Sequence, residues 1–372
     1  MSSVTCAALA FAWTAAAEPP KASHLERAPA PRFRVGPVPD YGPLAGVRVN
    51  HGLKDLSPGL WYTLNSLLDE QMVVSFSEGV MAEIVDEDEP GSPDTGLIWM
   101  RDYSPVSVRR PDGSLGAVSY LSTNPRRAMW SPEDGPKPEL MPLLHENGNL
   151  VRVGDHVFMT ENILYDNQNT FSDPHLARAG FKMRRREEIL ETVSAHLGVA
   201  RRHLHVVPPM PGEATGHIDL FMLPIEDDVV ILPEIRLGAL AIASRPMITA
   251  EIRDFLDARA RALKALGIRV VRLPMMPPVI YSMEGEHVDD ELGILSPANS
   301  LLVNHHGRKA VVVPTFDGVL REVRGWQDLS DAYVREWVKT FTAEGWVPYL
   351  VDASELVDLQ GYFRCLTATI PE

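Results

Sequence analysis

The chain is poor in three things, and each shortage removes a class of function. Of 372 residues only two are cysteine, Cys6 and Cys365, and Cys365 alone lies outside the first few residues. A lone thiol in the body of the chain excludes a disulfide framework, and it makes no zinc site without several histidines or carboxylates around it. Two readings of Cys365 remain, a small buried hydrophobe or a nucleophile. Basic charge is scarce as well: 35 Lys and Arg stand against 50 Asp and Glu, a formal net charge of −15. Phosphate neutralisation needs clustered cations, so nucleic acid is not an expected partner. The one basic run, Arg184-Arg185-Arg186, precedes Glu187-Glu188 and reads as the solvated first turn of a helix. An acidic field favours the approach of small cations instead.

Long apolar runs are the third shortage. Only residues 4–17 form one, too short to span a bilayer comfortably, and no membrane partner is expected. Its length and its Ala-rich end suit a secretory h-region cleaved near Ala17, although the basic n-region of a signal peptide is missing. Export to the periplasm or the exterior is the resulting expectation, with the cytoplasm as the alternative. Residues 18–40 are rich in Pro and Ala and read as a tether. The domain reading is therefore a leader and tether over 1–40 and one catalytic domain over 41–372. Nothing in the composition decides whether copies of the chain associate.

What is present is a repeat. Helical periodicity over 184–197, 249–266 and 330–344 ends each time in a glycine, Gly198, Gly267 or Gly345, suited to the left-handed conformation at a helix end. A β-branched run follows each helix, and a hairpin pattern precedes each, over 149–164, 217–232 and 299–316. The unit is strand-strand-helix-strand, with copies about 70–80 residues apart. A helix at 58–70 leading into Met72-Val73-Val74-Ser75-Phe76, strands at 97–102 and 104–121, and a last strand at 361–368 extend the count. About five units closing on themselves would leave no long exposed sheet edge. The expected fold is an α/β ring in which strand ends near the axis converge. Residues as far apart as Asp102 and Cys365 then become neighbours.

Those neighbours define a chemistry. Asp102, Glu146 and Asp219 would line an acidic hollow, and the group that satisfies several carboxylates through planar paired hydrogen bonds is a guanidinium. Carboxylates alone would only bind it. Its carbon is a poor electrophile, so catalysis needs a thiolate and a group able to protonate a leaving amine. Cys365 and His217 are the residues on offer.

Five segments in order carry a resemblance: Trp99-Met100-Arg101-Asp102-Tyr103-Ser104-Pro105, Glu146-Asn147-Gly148-Asn149-Leu150, Gly216-His217-Ile218-Asp219, Asn299 with the strand Val311-Val312-Val313-Pro314, and Cys365-Leu366-Thr367. In them the chain resembles the agmatine deiminase and bacterial-type peptidylarginine deiminase family of guanidine-modifying hydrolases. The resemblance implies a five-fold α/β propeller, the pentein fold. It also implies Cys365 as nucleophile, His217 as general acid and base, and Asp102, Glu146 and Asp219 as the carboxylates that orient the guanidinium. Trp99, Arg101, Asn149 and Asn299 would contribute to substrate binding, and no metal or organic cofactor is required. Agmatine is the first expected substrate and an arginyl peptide the second; a catalytically silent protein that captures guanidines or polyamines is a reading of another class. Where the family has His before the nucleophile this chain has Arg364, which either lowers the thiol pKa or points away from it.

Other polar clusters read as ordinary structure. His203 and His205 alternate on a probable strand without a third ligand at suitable spacing, and His305-His306 falls at a hairpin turn. The acidic segment 284–291 reads as a solvated loop. In 86–97, Leu97 stands where a calcium loop requires a bidentate Glu. Trp99 either walls the pocket or packs in the core.

Overall fold

Runs of β-branched residues broken by turn-forming glycines build five sheets on one plan in the computed structural model of the chain. It describes residues 35–50, 52–69, 72–76, 99–121, 137–169, 176, 181–281, 291–319, 323–359 and 361–372. In each sheet two antiparallel strands are joined by a third that runs parallel to the second. The first sheet comprises Val106–Arg109, Leu115–Leu121 and Glu139–Leu144, with the short strand Gly36–Pro37 added at its edge, and the second Val151–Val153, His156–Thr160 and Leu204–Val207. The third comprises Leu223–Glu226, Val229–Glu234 and Arg269–Pro274, and the fourth Leu301–His305, Arg308–Thr315 and Val347–Asp352. The fifth sets the C-terminal Thr367–Pro371 against Leu44–Asn50, which pairs in turn with Val73–Phe76, so the last strand joins strands from early in the chain. A two-stranded hairpin, Val279–Tyr281 with Glu291–Gly293, stands apart from these.

Parallel pairing of the second and third strands demands a crossover, and in four of the sheets a described helix supplies it. Helix α1 (Pro58–Leu67) serves the fifth sheet, α2 (Arg186–Leu197) the second, α3 (Pro246–Ala265) the third and α4 (Trp326–Ala343) the fourth. Each buries one stripe: α4 turns Trp326, Ser330, Tyr333, Trp337 and Phe341 inward, at steps of three and four residues. Gly198, Gly267 and Gly345 follow their helices at φ 66°, 81° and 81°, the left-handed region expected from the sequence. The middle strands are covered on both faces, so Val230, Ile231, Leu232, Val311, Val312 and Val313 are all fully buried. Among the described residues no helix is long and apolar enough to cross a membrane.

Three local expectations change. Met100–Tyr103 is a single helical turn, not the end of a strand, and all four of its residues are buried, which a pleat with period two does not achieve. Cys365 lies in a turn over 363–366, before the strand Thr367–Pro371. Leu366 N–H bonds to Tyr362 O and Thr367 N–H to Arg364 O, as in a turn, so strand alternation does not place Arg364. Residues 36–40 are built into the fold rather than left as tether. Gly36–Pro37 pairs with Val108 and Arg109, and Asp40 is ion-paired with both Arg101 and Arg364. From Arg34 to Glu372 the chain is one compact unit. The leader and the acidic segments 86–91 and 284–290 lie outside the described residues.

Candidate active site

Every sheet is entered through a short turn, and the chemistry-bearing residues sit in those turns or, for Glu146 and His217, immediately before them. They are Met100–Tyr103, Asn147–Asn149, Ile218–Leu220, Pro297–Asn299 and 363–366. Hydrogen bonds close them into a ring. Gly148 N–H donates to Asp102 Oδ1 at 2.8 Å, His217 Nε2 to Glu146 Oε2 at 2.8 Å, and Asn299 Nδ2 to the Asp219 carbonyl at 3.4 Å. Arg364 N–H then donates to Asn299 O at 3.2 Å, and Arg101 N–H to Cys365 O at 3.1 Å, which returns the circuit to its start. Five segments spread across the chain thus surround one axis.

His217 is buried between two carboxylates, with Nε2 on Glu146 and Nδ1 3.6 Å from Asp102 Oδ1. Burial opposes the charged imidazolium, yet Asp102, Glu146 and Asp219 together raise its pKa to about 10. Burial and the charges of Glu146 and Asp219 push the Asp102 carboxyl upward, against the pull of His217. Ligand atoms of Asp102, Glu146 and His217 lie within 4.8 Å of one another, as a metal site would need. An imidazole that keeps protons toward both carboxylates has no lone pair for a metal, so acid–base work is the better use of this cluster.

Cys365 sits across Asp219. Its Sγ accepts from Asn299 Nδ2 at 3.2 Å and lies 3.8 Å from Asp219 Oδ2. Burial, then Asp219 and Asp102, raise the thiol pKa well above its usual range. Arg364 does not counter this. Its guanidinium is turned to Asp40 and to the Met222 carbonyl, at 2.9 Å for the latter. Asp219 itself is fully buried, with Oδ2 3.2 Å from Arg101 Nε. Its Oδ1 is buried without a hydrogen-bond partner among the described residues.

The turns bring together Cys365, His217, Asp102, Glu146 and Asp219. The other four expected residues divide. The Trp99 ring lies where a Cβ on Gly361 would meet it at 2.4 Å, and Cys365 Cβ borders the same spot at 3.1 Å, so Gly361 is required for this packing. Arg101 is committed to Asp40 and Asp219, and Asn149 Oδ1 accepts from Thr160 N–H at 2.7 Å. Asn299 Oδ1 accepts from Tyr362 N–H, so this side chain positions the Cys365 turn as well as the sulfur.

A cavity of ≈ 300 Å³ opens beside His217 and Glu146, with His145, Asn162, Asp166 and Thr215 in its wall. A smaller one of ≈ 40 Å³ runs along Asp40, Arg101 and Arg152 and is not lined by Cys365 or His217. His145 is buried with neither ring nitrogen bonded among the described residues, and burial and His217 lower its pKa to about 3. Burial and Glu146 raise the Asp166 carboxyl to about 6. Asp40, His145 and Asp166 were absent from the sequence expectation. His145 adjoins Glu146 and could have been noticed, but no motif marks the other two.

No family profile and no curated protein sequence matches the chain. Solved structures do. An agmatine deiminase from C. jejuni aligns at TM-score 0.57 and 15% identity, covering 93% of this chain and 99% of that one. Agmatine deiminase of Enterococcus faecalis aligns at TM-score 0.60 and 14% identity, covering 91% and 96%. A Porphyromonas gingivalis protein whose description as an arginine deiminase is provisional aligns at 0.60 and 18%, covering 91% and 99%. The chain has the agmatine deiminase fold. Coverage of nearly the whole length on both sides means that the likeness extends over the whole fold and not one part of it. At these identities the likeness speaks for the backbone, and the chemistry has to be argued from the side chains.

Proposed function

We propose that the chain is a deiminase that hydrolyses a guanidinium group to a ureido group and ammonia through a covalent adduct on Cys365, with agmatine as substrate. The observation that carries this reading is Asp219, a fully buried carboxylate 3.8 Å from the only described thiol, with one oxygen lacking a partner among the described residues. A buried acceptor left unbonded costs roughly 1–3 kcal/mol, and a guanidinium N–H donated to Oδ1 would recover it. Asp102 adds a second carboxylate whose field reaches both the thiol and His217. The ≈ 300 Å³ cavity is lined by Glu146, Asp166 and His217 but not by Cys365, Asp102 or Asp219, so it bears on the far end of the substrate, where its two carboxylates suit a second cationic group.

In this mechanism the Cys365 sulfur adds to the guanidinium carbon, forming the C–S bond. His217, protonated near neutral pH, gives its proton to one amino group, and the C–N bond breaks to release ammonia. The thiouronium that remains is attacked by water, whose proton returns to His217, and cleavage of the C–S bond frees the ureido product. Product is neutral at the carbon that entered as a cation, so its attraction to Asp102 and Asp219 is lost and it leaves.

The protonation states set the pH profile. In the free protein the thiol is protonated because its pKa is raised, while His217 remains an acid until about pH 10. The active form, thiolate with imidazolium, therefore grows with pH across the neutral range and declines once His217 loses its proton. kcat/KM is expected to rise toward the alkaline side by up to about tenfold per pH unit and then fall, as initial rates from pH 6 to 11 would record. A profile flat or falling above pH 7 would contradict the raised thiol.

Gly148 gives a geometric check. A Cβ there would stand 2.5 Å from His217 Nδ1 and 2.6 Å from Asp102 Oδ1. Gly148→Ala should displace the imidazole and lower kcat on the order of a hundredfold, with the fold retained by circular dichroism.

A colorimetric ureido assay on agmatine, free arginine and an arginyl peptide tests the whole reading. Turnover of agmatine supports it, and preference for the peptide transfers the chain to the alternative substrate. Binding of guanidines without turnover of any of the three would identify a silent binding protein.

A further inference from the structure

Among the described residues, one group of side chains outside the active site brings three metal-ligand atoms together. Asp69, His305 and His306 each offer one, and the three lie within 4.8 Å of one another. They come from two units of the ring. His305 ends the first strand of the fourth sheet, opposite Arg308, and His306-Gly307 is the two-residue turn of that hairpin. Asp69 stands in the link between α1 and the third strand of the fifth sheet, where its carbonyl accepts from Met72 N–H at 2.8 Å. Asn304, one residue before His305, donates to Tyr41 O at 3.0 Å, so this strand also touches the segment that leads into the fifth sheet.

Backbone geometry explains why neighbouring histidines meet. Successive residues of a strand point to opposite faces, but His306 has φ 49° and Gly307 φ 77°, the positive pair that a type I′ turn requires. The turn folds the His306 ring back toward His305, and their ring centroids come to 3.8 Å. Asparagine is the usual residue there; His306 is the one described residue other than glycine with positive φ. His305 is 8% exposed, and its Nδ1 has no hydrogen-bond partner among the described residues. Its Nε2 is 4.0 Å from Asp69 Oδ2, beyond hydrogen-bond reach. Unlike His217, which is bonded to Glu146, this imidazole has no proton held toward a carboxylate and keeps a lone pair to give. A buried polar ring left without a bond calls for a ligand.

We propose that Asp69, His305 and His306 bind a divalent transition-metal ion of the zinc type, with water completing the tetrahedron. Two imidazoles and one carboxylate are a ligand set that suits such an ion. Donor atoms around one tetrahedral ion at about 2.0–2.2 Å are about 3.3–3.6 Å apart, so Asp69 has to approach His305 by about 0.5 Å. Its side chain is 81% exposed and rotates without disturbing the core. Imidazoles sharing one ion have centroids about 5 Å apart, so the exposed His306 ring swings outward by about 1 Å. About 13 Å of strand separates His305 from Leu301, near the active-site turn Pro297–Asn299, which puts the ion outside the reaction centre. It would tie the fourth unit to the fifth, where the C-terminal strand closes the ring.

Cobalt titration of the full-length chain, free of any histidine tag, tests the proposal. One equivalent of Co²⁺ should develop the visible bands of tetrahedral coordination, and Zn²⁺ should displace it. His306→Asn is the decisive variant, because Asn-Gly suits the turn while the ligand is removed. Its melting temperature without metal should equal or exceed that of the wild type, and its affinity for Co²⁺ should fall about tenfold or more. Asp69→Ala, at an exposed position, should weaken binding similarly. Zn²⁺ should raise the melting temperature of the wild-type chain and leave that of both variants unmoved. His217→Ala should bind like the wild type, which separates this ion from the cluster of Asp102, Glu146 and His217. Bands that persist unweakened in both His306→Asn and Asp69→Ala, that vanish in His217→Ala, or that fail to develop at millimolar Co²⁺ would each overturn the site.

Discussion

Cys365→Ser is expected to lower turnover by on the order of ten thousandfold or more while leaving the melting temperature almost unchanged. The hydroxyl is close to isosteric with the thiol, and Asn299 Nδ2, 3.2 Å from Sγ, can donate to either atom. What is lost is ionisation. A buried serine flanked by Asp219 and Asp102 has no route to an alkoxide, and a resonance-stabilised guanidinium carbon does not accept a neutral hydroxyl. Binding should survive, because the carboxylates remain. A haloacetamidine should label the wild-type chain at Cys365 and leave the serine variant untouched, with substrate protecting the wild type. His217→Ala should fall comparably, since the leaving amine then departs without a proton. Wild-type rates in either variant would refute the assignment of roles.

Asp40→Asn carries the largest expected effect on stability, about 3–5 kcal/mol by denaturant unfolding. Asp40 lies between Arg101 and Arg364, both buried, and is bonded to each. Removing the anion leaves two guanidinium groups facing one another in a low-dielectric interior, and only Arg101 retains a second carboxylate, Asp219. Burial acts to raise the Asp40 carboxyl, but the two arginines outweigh it and hold the group well below the usual carboxylate range. A depressed folded-state pKa gives stability that is complete above the unfolded value, about 3.9, and is lost as pH falls through the folded one. The wild-type contribution of Asp40 should therefore persist into acid and fade only below about pH 4. The double variant Asp40→Asn/Arg364→Met should recover part of the loss, because it removes one of the two stranded charges. A variant as stable as wild type would show that water reaches this cluster.

The predictions draw on two kinds of information. Helix ends at Gly198, Gly267 and Gly345 were legible in the chain because a left-handed residue after an apolar-periodic run is a local device. The strand-strand-helix-strand repeat was legible for the same reason, and it gave the correct sheet plan. Cys365, His217, Asp102, Glu146 and Asp219 could be picked out because reactive side chains stood in polar, glycine-flanked segments. The backbone around two of them could not be read: Met100–Tyr103 and 363–366 are turns whose shape is imposed by the ring they close. From the sequence Arg101 read as a substrate contact, and Arg364 either as lowering the thiol pKa or as pointing away from it. They are ion-paired to Asp40, a residue hidden in a proline-rich stretch that resembled a tether.

The order of amino acids decided what recurs: five copies of one strand plan, their helices, and a reactive residue at the entrance to each sheet. Three-dimensional packing decided who meets whom. Asp40 reaches Arg364 across nearly the whole chain, His156 reaches His205 across a strand pair, and Asp219 comes to lie under Cys365. Such pairings depend on ring closure and strand register, and those emerge only when many weak apolar contacts are satisfied together.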